Sequence, residues 1–437
     1  MTKVASSVVN LLFAMPGIFA MQSLAFGQSE TGLRAEIATN LQRHILNPWF
    51  PSAVDHKLGG FLEDFDNSWQ PVGQQENRSI VYQSRLTWVA ARAMKYDPTR
   101  AKQYGDWAIH GLSQLEMKMW DSVNGGFFWQ IDAESGNPSD AHKGEKHVYG
   151  NSFGIYASAT VYETTGEKRA LELAKRAFLW LENHAHDGLH GGYKEALDRS
   201  GKPVISNNPA DKDSIGTRYG FKSMNTHIHL LEAFSQLHHV WPDALVTKRL
   251  NEVFHIVRDK VYTNPGALHL YFNPDWSPVP DGDSFGHDIE TAYLLVEASE
   301  ELGLKHDSAT WKAAQNLVDH ALQVGWDEQN GGFYDYGTTF GPATKREKIW
   351  WTQAEGLNAL LLMDREFGKI TPKYADAFAK QWRFISKYQV DSTNGGWYTS
   401  VSESGKPDGG QRKSDMWKDP YHQGRALMNI LEMLRKG

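Results

Sequence analysis

Three histidines in this chain each follow a polar loop and begin an apolar segment with helical periodicity: His229, His287 and His422. His287 and Glu290 are three residues apart, so a helix places both on one face near its first turn. The free N–H groups of that turn disfavour the imidazolium, which keeps the ring neutral and able to accept a proton. One such histidine would more often cap a helix or lie hydrogen-bonded in a core. Three of them favour acid–base chemistry.

The composition excludes several kinds of site. The net charge of −7 and the pI near 6.2 leave no basic surface for nucleic acid, so no nucleic-acid partner is expected. The absence of cysteine rules out disulfides, thiolate catalysis and iron–sulfur clusters. Apolar residues at 41% supply a large core, and the 16 tryptophans are compatible with the aromatic walls of a sugar site.

Residues 1–27 have the pattern of a secretory signal peptide. Lys3 precedes a broken apolar run from Val8 to Ala25, and small residues stand at the positions that precede cleavage before Gln28. The broken run would span a membrane poorly. We therefore expect a periplasmic or secreted protein with no stable membrane insertion after signal removal, and a retained anchor is the alternative.

A Gly-Gly-aromatic motif recurs along the chain. It begins at Gly59, Gly125, Gly191, Gly331 and Gly395, so the intervals are 66, 66, 140 and 64 residues. The long interval contains one degenerate copy, which fits best at residues 264–271. The chain therefore consists of six units, and repeats of this length indicate a repetitive architecture.

Each unit has room for a short hairpin and two helices. Helices are predicted at residues 80–96, 103–119, 149–164, 168–184, 226–240, 245–259, 288–302, 311–324, 350–367, 374–388 and 422–435. The helices that follow the histidine motifs are more apolar and are predicted to be inner, whereas the more charged helices are predicted to be outer. The sequence thus predicts an all-α fold: an (α/α)6 barrel of six helix pairs with short β-hairpins between repeats, forming one catalytic domain over residues 28–437.

In such a barrel, the loops at the N-terminal ends of the inner helices converge on one mouth. The polar and aromatic residues at these positions are Arg85 and Trp88, Lys146 with His147 and Tyr149, Asn225 with His229, His287 with Glu290, Trp350 with Trp351 and Glu355, and Trp417 with His422. One cluster from each of six repeats is hard to explain by packing alone. We therefore expect an active site at this mouth.

These motifs resemble the N-acylglucosamine 2-epimerase superfamily, and within it the cellobiose 2-epimerases. The resemblance covers essentially residues 31–437, and its histidine motifs are specific only when taken together. It is carried by Ser84-Arg85-Leu86-Thr87-Trp88, Lys146-His147-Val148-Tyr149, Asn225-Thr226-His227-Ile228-His229-Leu230-Leu231-Glu232-Ala233, Gly286-His287-Asp288-Ile289-Glu290, Trp350-Trp351-Thr352-Gln353-Ala354-Glu355, and Trp417 with Tyr421-His422.

The resemblance implies inversion at C2 of the reducing-end glucose of a β-linked disaccharide, without a metal or other cofactor. Such epimerases are usually cytoplasmic, so the signal peptide departs from the pattern and leaves the physiological disaccharide open. The resemblance assigns the acid/base pair to His287 and His422, the open-chain sugar and its enediolate to Arg85, Asn225 and His229, and the sugar subsites to Trp417, Trp350 and Trp351.

The residue types support this chemistry independently. Inversion of a carbon next to an aldehyde needs a base on one face and an acid on the other, and histidine serves in either role near neutral pH. Arg85 is suited to stabilise the enediolate, although a salt bridge to Glu290 or Glu355 is a compatible alternative. His229 is the candidate for opening the sugar ring.

Several neighbours have predicted supporting roles. Glu290 and Glu232 each follow a histidine by three residues and are expected to orient its ring. Trp350 and Trp351 are about 100° apart around a helix, so at most one faces the pocket squarely. Tyr149 at the mouth either contacts sugar or only packs.

A zinc site at His227 and His229 is disfavoured, because side chains two residues apart on a helix diverge and no third ligand shares their face. No metal is therefore expected. The sequence indicates no oligomeric state, so a monomer is the default expectation and a disaccharide substrate is the expected partner.

Three other functions are compatible with the same residues. The first is an aldose–ketose isomerase, in which one base carries the proton from C2 to C1. The second is an inverting glycoside hydrolase that uses two of Asp288, Glu290 and Glu355 but leaves the histidines without a role. The third is a non-catalytic sugar-binding protein, for which the aromatic mouth would be sufficient.

Overall fold

The computed structural model describes residues 30–73 and 75–435, and the predicted signal peptide lies outside these residues. Short π- or 3-10-helical segments extend or join some of the α-helices at Leu41–Leu46, Pro98–Arg100, Leu115–Met119, Val257–Val261 and Ile385–Gln389. The α-helices of the described chain are α1 (Glu30–Asn40), α2 (Asn47–Trp49), α3 (Ile80–Tyr96), α4 (Ala101–Gln114), α5 (Val148–Thr165), α6 (Lys168–His184), α7 (Met224–Val240), α8 (Ala244–Ile256), α9 (Phe285–Glu301), α10 (Ser308–Val324), α11 (Trp350–Phe367), α12 (Lys373–Phe384) and α13 (Tyr421–Met433).

Helices α3, α5, α7, α9, α11 and α13 form a closed inner ring. Each packs against the next, and α13 packs against α3. Helices α4, α6, α8, α10 and α12 lie outside, each against the inner helix that precedes it, and α1 packs against α13. The predicted (α/α)6 barrel is confirmed. The sequence interpretation lacked α1, the outer partner of α13, because α1 buries only Leu33, Ile37 and Asn40 and so has a weak amphipathic pattern.

The two rings differ in burial as their sequences predict. Helix α5 is buried on every side over residues 148–161, which suits an inner helix with neighbours all around it. Helix α6 buries one stripe that includes Leu173, Ala177 and Leu181, and its charged residues face outward. The core is therefore the layer between the two rings together with the inside of the inner ring.

Short antiparallel strands connect neighbouring repeats at the N-terminal end of the inner ring. The strand that leads into an inner helix pairs with a strand from the next unit: β1 with β2, β3 with β4, β5 with β8, β10 with β11 and β13 with β14. These strands are β1 (Asn77–Ser79), β2 (Gln130–Asp132), β3 (Lys146–His147), β4 (Ala196–Leu197), β5 (Lys222–Ser223), β6 (Tyr262–Thr263), β7 (Ala267–Leu268), β8 (Tyr271–Phe272), β9 (Pro278–Val279), β10 (Gly282–Ser284), β11 (Tyr336–Thr338), β12 (Ala343–Lys345), β13 (Lys348–Ile349) and β14 (Ser400–Val401).

The Gly-Gly-aromatic motif makes the same turn in five units. Both glycines have positive φ, which L side chains rarely adopt. The degenerate copy at residues 264–271 also forms a hairpin, in which β6 pairs with β7. Six equivalent hairpins therefore separate the helix pairs, as the repeat predicted.

In four of the six inner helices, the fourth residue binds the turn of the preceding hairpin. Side-chain oxygens of Gln83, Asn151 and Gln353 accept the backbone N–H of the aromatic residue that follows the glycine pair, at 2.8, 2.8 and 2.9 Å. In α7 this position is His227, whose Nε2 accepts the N–H of Tyr193 at 3.0 Å. His227 is therefore a structural residue of the repeat.

Buried ion pairs repeat with the same period. An aspartate four residues before the glycine pair accepts N–H groups of its turn and binds a buried basic residue that precedes the next inner helix. The pairs are Asp55–Arg78, Asp121–Lys146, Asp187–Lys222, Asp327–Lys348 and Asp391–Lys413. In the degenerate unit, Asp283 stands where the other units have the basic residue, and its Oδ2 lies 2.7 Å from Nε2 of His320.

No helix among the described residues has both the length and the apolar character needed to cross a bilayer.

Candidate active site

The predicted site residues form two layers at the start of the inner helices. The upper layer comes from the second or third residue of a helix: Tyr149, Asn225, His287, Trp351 and His422. The lower layer comes from the fifth or sixth residue: Arg85, His229, Glu290, Glu355 and Arg425. The upper layer consists of aromatic, imidazole and amide side chains. The lower layer consists of arginines and glutamates together with the imidazole of His229. A ligand in the mouth therefore meets histidines that are backed by buried ions.

His287 is held by Ser284. The Oγ of Ser284 lies 2.7 Å from Nδ1 of His287. The equivalent serines before α3 and α7, Ser79 and Ser223, instead accept a backbone N–H of their helix. Ser284 makes no such capping bond and binds the histidine ring instead. Because this contact engages Nδ1, the Nε2 atom of His287 is left for a ligand. Burial lowers the pKa of His287 to about 4, with Glu290 acting in the opposite direction.

Glu290 does not orient His287, so that prediction is wrong. The carboxylate of Glu290 instead binds Arg425: its Oε1 lies 2.5 Å from Nη2 of Arg425 and 3.7 Å from Nδ1 of His422. The buried guanidinium attracts this carboxylate more strongly than a neutral imidazole does.

His422 is bound by Glu355. Its Nδ1 lies 2.7 Å from Oε1 of Glu355, and both side chains are buried. A carboxylate at this distance accepts a hydrogen bond from Nδ1–H, so Nε2 carries the free lone pair. Burial lowers the pKa of the His422 ring well below its usual value, although the charge of Glu290 opposes this. Burial likewise raises the pKa of Glu355, and Arg425 opposes the rise.

His229 is bound by Glu232, as predicted. Nδ1 of His229 lies 3.1 Å from Oε2 of Glu232. Burial acts to raise the pKa of Glu232, but Arg425 and His229 prevail and lower it to about 2. The ring of His229 contacts those of Tyr149 and Phe153, with centroids 5.2 and 4.8 Å away.

Arg425 is at the centre of the lower layer. Its guanidinium binds Glu232, Glu290 and Glu355, which come from three different inner helices, and it also contacts the hydroxyl of Tyr421 at 2.7 Å. Its side chain is 2% exposed. Burial disfavours the charge, yet the surrounding carboxylates raise the pKa of Arg425 well above its usual value.

Arg85 pairs with Asp419 rather than with Glu290 or Glu355, the partners expected from the sequence. Nη1 of Arg85 lies 3.2 Å from Oδ2 of Asp419, and its Nη2 lies 3.1 Å from the hydroxyl of Tyr149. The two glutamates are occupied by Arg425, which leaves Asp419, just before α13, as the nearest carboxylate. The cation also stacks on the ring of Phe153 at 4.4 Å.

Aromatic residues surround the histidines. The ring of Trp351 lies 4.8 Å from that of His287 and 5.6 Å from that of His422 between centroids. Trp351 therefore faces the site, and Trp350 is buried beside it at 8% exposure. Trp417 is 38% exposed, with its ring 6.5 Å from that of Tyr149.

Two further predicted residues reach the same region. The hydroxyl of Tyr149 binds Arg85, which links this tyrosine to the lower layer. Asn225 is the second residue of α7, and its Oδ1 is buried with no hydrogen-bond partner among the described residues. An orphaned oxygen of this kind is available to a sugar hydroxyl.

Within residues 30–73 and 75–435, three clusters of histidine and carboxylate have ligand atoms close enough for a metal. They are His147 with Glu195 and Asp213, Asp283 with Asp288 and His320, and Glu290 with Glu355 and His422. In the third cluster Arg425 already occupies the space between the carboxylates, and its positive charge opposes a metal ion. The His227/His229 pair is not a ligand pair either, since Nδ1 of His227 lies 2.7 Å from the carbonyl oxygen of Ser223 and its Nε2 binds Tyr193.

Comparison with known proteins places the chain in a family. The sequence model of the N-acylglucosamine 2-epimerase (GlcNAc 2-epimerase) family matches residues 59–426. The chain belongs to the N-acylglucosamine 2-epimerase family. A cellobiose 2-epimerase of Bacteroides fragilis is 30% identical over 410 residues, which are 91% of this chain and 98% of that protein.

Solved structures and a more distant relative extend this family assignment. The structure of cellobiose 2-epimerase from Spirochaeta thermophila matches with a TM-score of 0.81 and 29% identity, covering 93% of this chain and 98% of the other. A D-mannose isomerase of Marinomonas mediterranea is 25% identical over 91% of this chain and 97% of that protein. Together these similarities make this member of the N-acylglucosamine 2-epimerase family a carbohydrate epimerase.

Sequence reasoning missed three residues of this epimerase site: Ser284, Asp419 and Arg425. Ser284 carried a local signal, since it stands at the N-cap position three residues before His287. Asp419 carried none, because only the fold brings it to Arg85. Arg425 did carry a signal, since it is a charged residue three positions after His422 and directly precedes the apolar run Ala426-Leu427-Met428. A cation on the same helix face as a predicted acid/base histidine could have been included.

Proposed function

We propose that the protein inverts C2 of the reducing-end glucose of a β-1,4-linked disaccharide, converting cellobiose to its glucosyl-mannose epimer. The observation that carries the proposal is the arrangement of two histidines around one tryptophan. The rings of His287 and His422 both contact Trp351, and each has its Nδ1 engaged by another side chain. Each Nε2 is then free to act on the sugar.

The reaction begins with the open-chain aldehyde, in which the C2 hydrogen is acidic. In one direction one histidine removes this hydrogen as a proton. The C2–H electron pair forms a C1=C2 double bond, the carbonyl π electrons move to O1, and an enediolate results. The other histidine, carrying a proton, returns it to the opposite face of C2. In the reverse direction the two histidines exchange roles, because an imidazole can act either as the base or as the acid.

Arg85 supplies the fixed positive charge for the enediolate. Its guanidinium is buried, stacked on Phe153 and held by Asp419, so it needs no reorganisation when negative charge develops on O1 and O2. The unpartnered Oδ1 of Asn225 accepts a sugar hydroxyl in the same mouth.

His229 opens the sugar ring by moving a proton between O1 and O5. It lies beside Tyr149 and Phe153, and the ionised Glu232 behind it favours the Nδ1–H tautomer and leaves Nε2 as an acceptor. The aromatic surfaces of Trp417 and Trp351 accompany the apolar faces of the sugar.

NMR of products formed in D2O tests this function. Purified protein is incubated with cellobiose, mannobiose, glucose and N-acetylglucosamine, and proton and carbon spectra identify the products. We expect epimerised disaccharide with deuterium at C2. Product without label contradicts the proton-transfer mechanism, and release of free glucose from cellobiose would indicate a hydrolase.

The same spectra distinguish an aldose–ketose isomerase, the function named for the 25% identical relative from Marinomonas mediterranea. In that reaction the proton from C2 is delivered to C1 and a ketose accumulates. A ketose as the main product would therefore replace the epimerase proposal with this second function.

A further inference from the structure

We propose that Arg425 is a positioning residue that sets the tautomer and orientation of His229 and His422 through the glutamates behind them. It does not touch the sugar and acts only through carboxylates. The inference rests on the proposed function for its kinetic consequence, but its structural consequence is measurable without substrate.

The guanidinium joins three inner helices at one point. Nη2 of Arg425 lies 2.5 Å from Oε1 of Glu290 and 2.8 Å from Oε1 of Glu355, and Nη1 binds Oε1 of Glu232. These carboxylates come from α7, α9 and α11, and Arg425 comes from α13. A planar fork can hold carboxylates in several directions at once, whereas the ammonium of lysine is a point charge.

Two of these carboxylates each bind a histidine. The Oε1 of Glu355 that Arg425 holds is the atom 2.7 Å from Nδ1 of His422. Glu232 binds Arg425 through Oε1 and His229 through Oε2. The chain of contacts therefore runs from His229 through Glu232, Arg425 and Glu355 to His422, and a change at its centre reaches both rings.

Arg425 and His422 lie together near the N-terminal end of α13. Arg425 follows His422 by three residues on the same face of α13. Without its charge, three carboxylates would be buried close together with no counter-ion, and at least one would take up a proton or turn away. Either response removes an acceptor from a histidine Nδ1.

Arg425→Lys and Arg425→Gln test the proposal, with Arg249→Lys as the matched control. Arg249 is also held by two glutamates, Glu182 at 2.7 Å and Glu252 at 2.8 Å, but it lies on outer helix α8. The measurements are kcat and KM for cellobiose, the thermal unfolding temperature, and ¹⁵N shifts of the histidine rings in the free protein.

For Arg425→Lys we expect kcat to fall about 10- to 100-fold with little change in KM, as for other residues that orient a catalytic group. We expect a larger loss for Arg425→Gln. If Arg425→Gln does not fold, the lysine variant decides the outcome. In the free wild-type protein both rings should show a protonated Nδ1, and in Arg425→Lys both should show a mixture of tautomers.

Two results would overturn the proposal. One is a lysine variant whose kcat stays within about twofold of wild type, since an orienting partner contributes more than this. The other is an Arg425→Lys variant whose ring tautomers match those of wild type and whose activity falls only in proportion to the loss of folded protein, as for the control Arg249→Lys. If the wild-type protein does not epimerise cellobiose, the proposed function fails while the tautomer measurement still tests Arg425.

Discussion

Oε1 of Glu355 lies 2.7 Å from Nδ1 of His422 and 2.8 Å from Nη2 of Arg425, so one oxygen serves both the imidazole and the guanidinium. The second oxygen of Glu355 has no hydrogen-bond partner among the described residues. The orientation of the histidine therefore depends on a single atom, and the carboxylate is kept in place by a charge from the same helix as the histidine.

Replacement of Glu355 by glutamine should lower kcat about 10- to 100-fold, because the amide holds the Nδ1–H less strongly and leaves Arg425 with one fewer anion. Glu182→Gln is the matched control, since Glu182 pairs with Arg249 between outer helices. Steady-state kinetics on cellobiose and a thermal unfolding scan measure both effects. Equal kcat values in the two variants would show that the contact with His422 does not matter for turnover.

Ser284→Ala should reduce kcat about tenfold by releasing Nδ1 of His287, since loss of an orienting hydrogen bond typically has this effect. The stability should change little, because Ser284 does not cap its helix. Ser299→Ala on the same helix is the control, as its Oγ binds the backbone oxygen of Leu304 at the far end of α9. A Ser284 variant as active as the Ser299 variant would argue against His287 as an acid or base.

The pH dependence of kcat/KM should reflect the lowered pKa of His287. A histidine acts as a base in its neutral form, and burial places the pKa at about 4 instead of 6.5. Activity should therefore persist below the usual histidine range and fall as the pH decreases through about 4. Assays after return to neutral pH separate reversible protonation from unfolding. Activity that is already half-maximal near pH 6.5 would mean that the base is not a histidine whose pKa is lowered in this way.

Most of the fold follows from the sequence because its signals are local. The Gly-Gly turns and the apolar periods fix the position of eleven helices, and the repeat fixes their number of pairs. The residues behind the histidines were not predictable in the same way. Glu355 and His422 are 67 residues apart and Arg85 and Asp419 are 334 apart, and nothing in either local sequence specifies the partner.

Glu290 illustrates the limit. Its spacing from His287 correctly placed it on the same helix face, but its partner was decided by a cation on another helix. His227 illustrates the opposite case. The sequence disfavoured it as a metal ligand beside His229 but gave it no other role, and in the structure it occupies the position at which Gln83, Asn151 and Gln353 bind the hairpins of other repeats.

His227→Gln should be tolerated at neutral pH and should weaken the acid sensitivity of the fold. Burial lowers the pKa of His227 to about 3, so between about 3 and 6.5 the unfolded chain binds a proton that the folded protein does not. This difference lowers the free energy of unfolding as the pH falls through that range. Glutamine still accepts the N–H of Tyr193, as Gln83 does for Phe61.

Urea unfolding at several pH values measures this effect. We expect the variant to lie within about 1 kcal/mol of wild type near neutral pH, since one hydrogen bond replaces another. The decline of stability toward acid should be shallower in the variant than in wild type. Parallel curves would show that His227 does not contribute to the acid sensitivity.

The most direct test of a two-histidine mechanism is hydrogen exchange at C2 in variants that lack one histidine. His287→Asn and His422→Asn are each incubated in D2O with cellobiose and, separately, with the glucosyl-mannose epimer, and deuterium at C2 is measured by NMR. If the rings act on opposite faces, each variant loses epimerisation but still exchanges the C2 hydrogen of one epimer, and the two variants exchange different epimers. Exchange of the same epimer by both variants, or of both epimers by either one, would contradict the account.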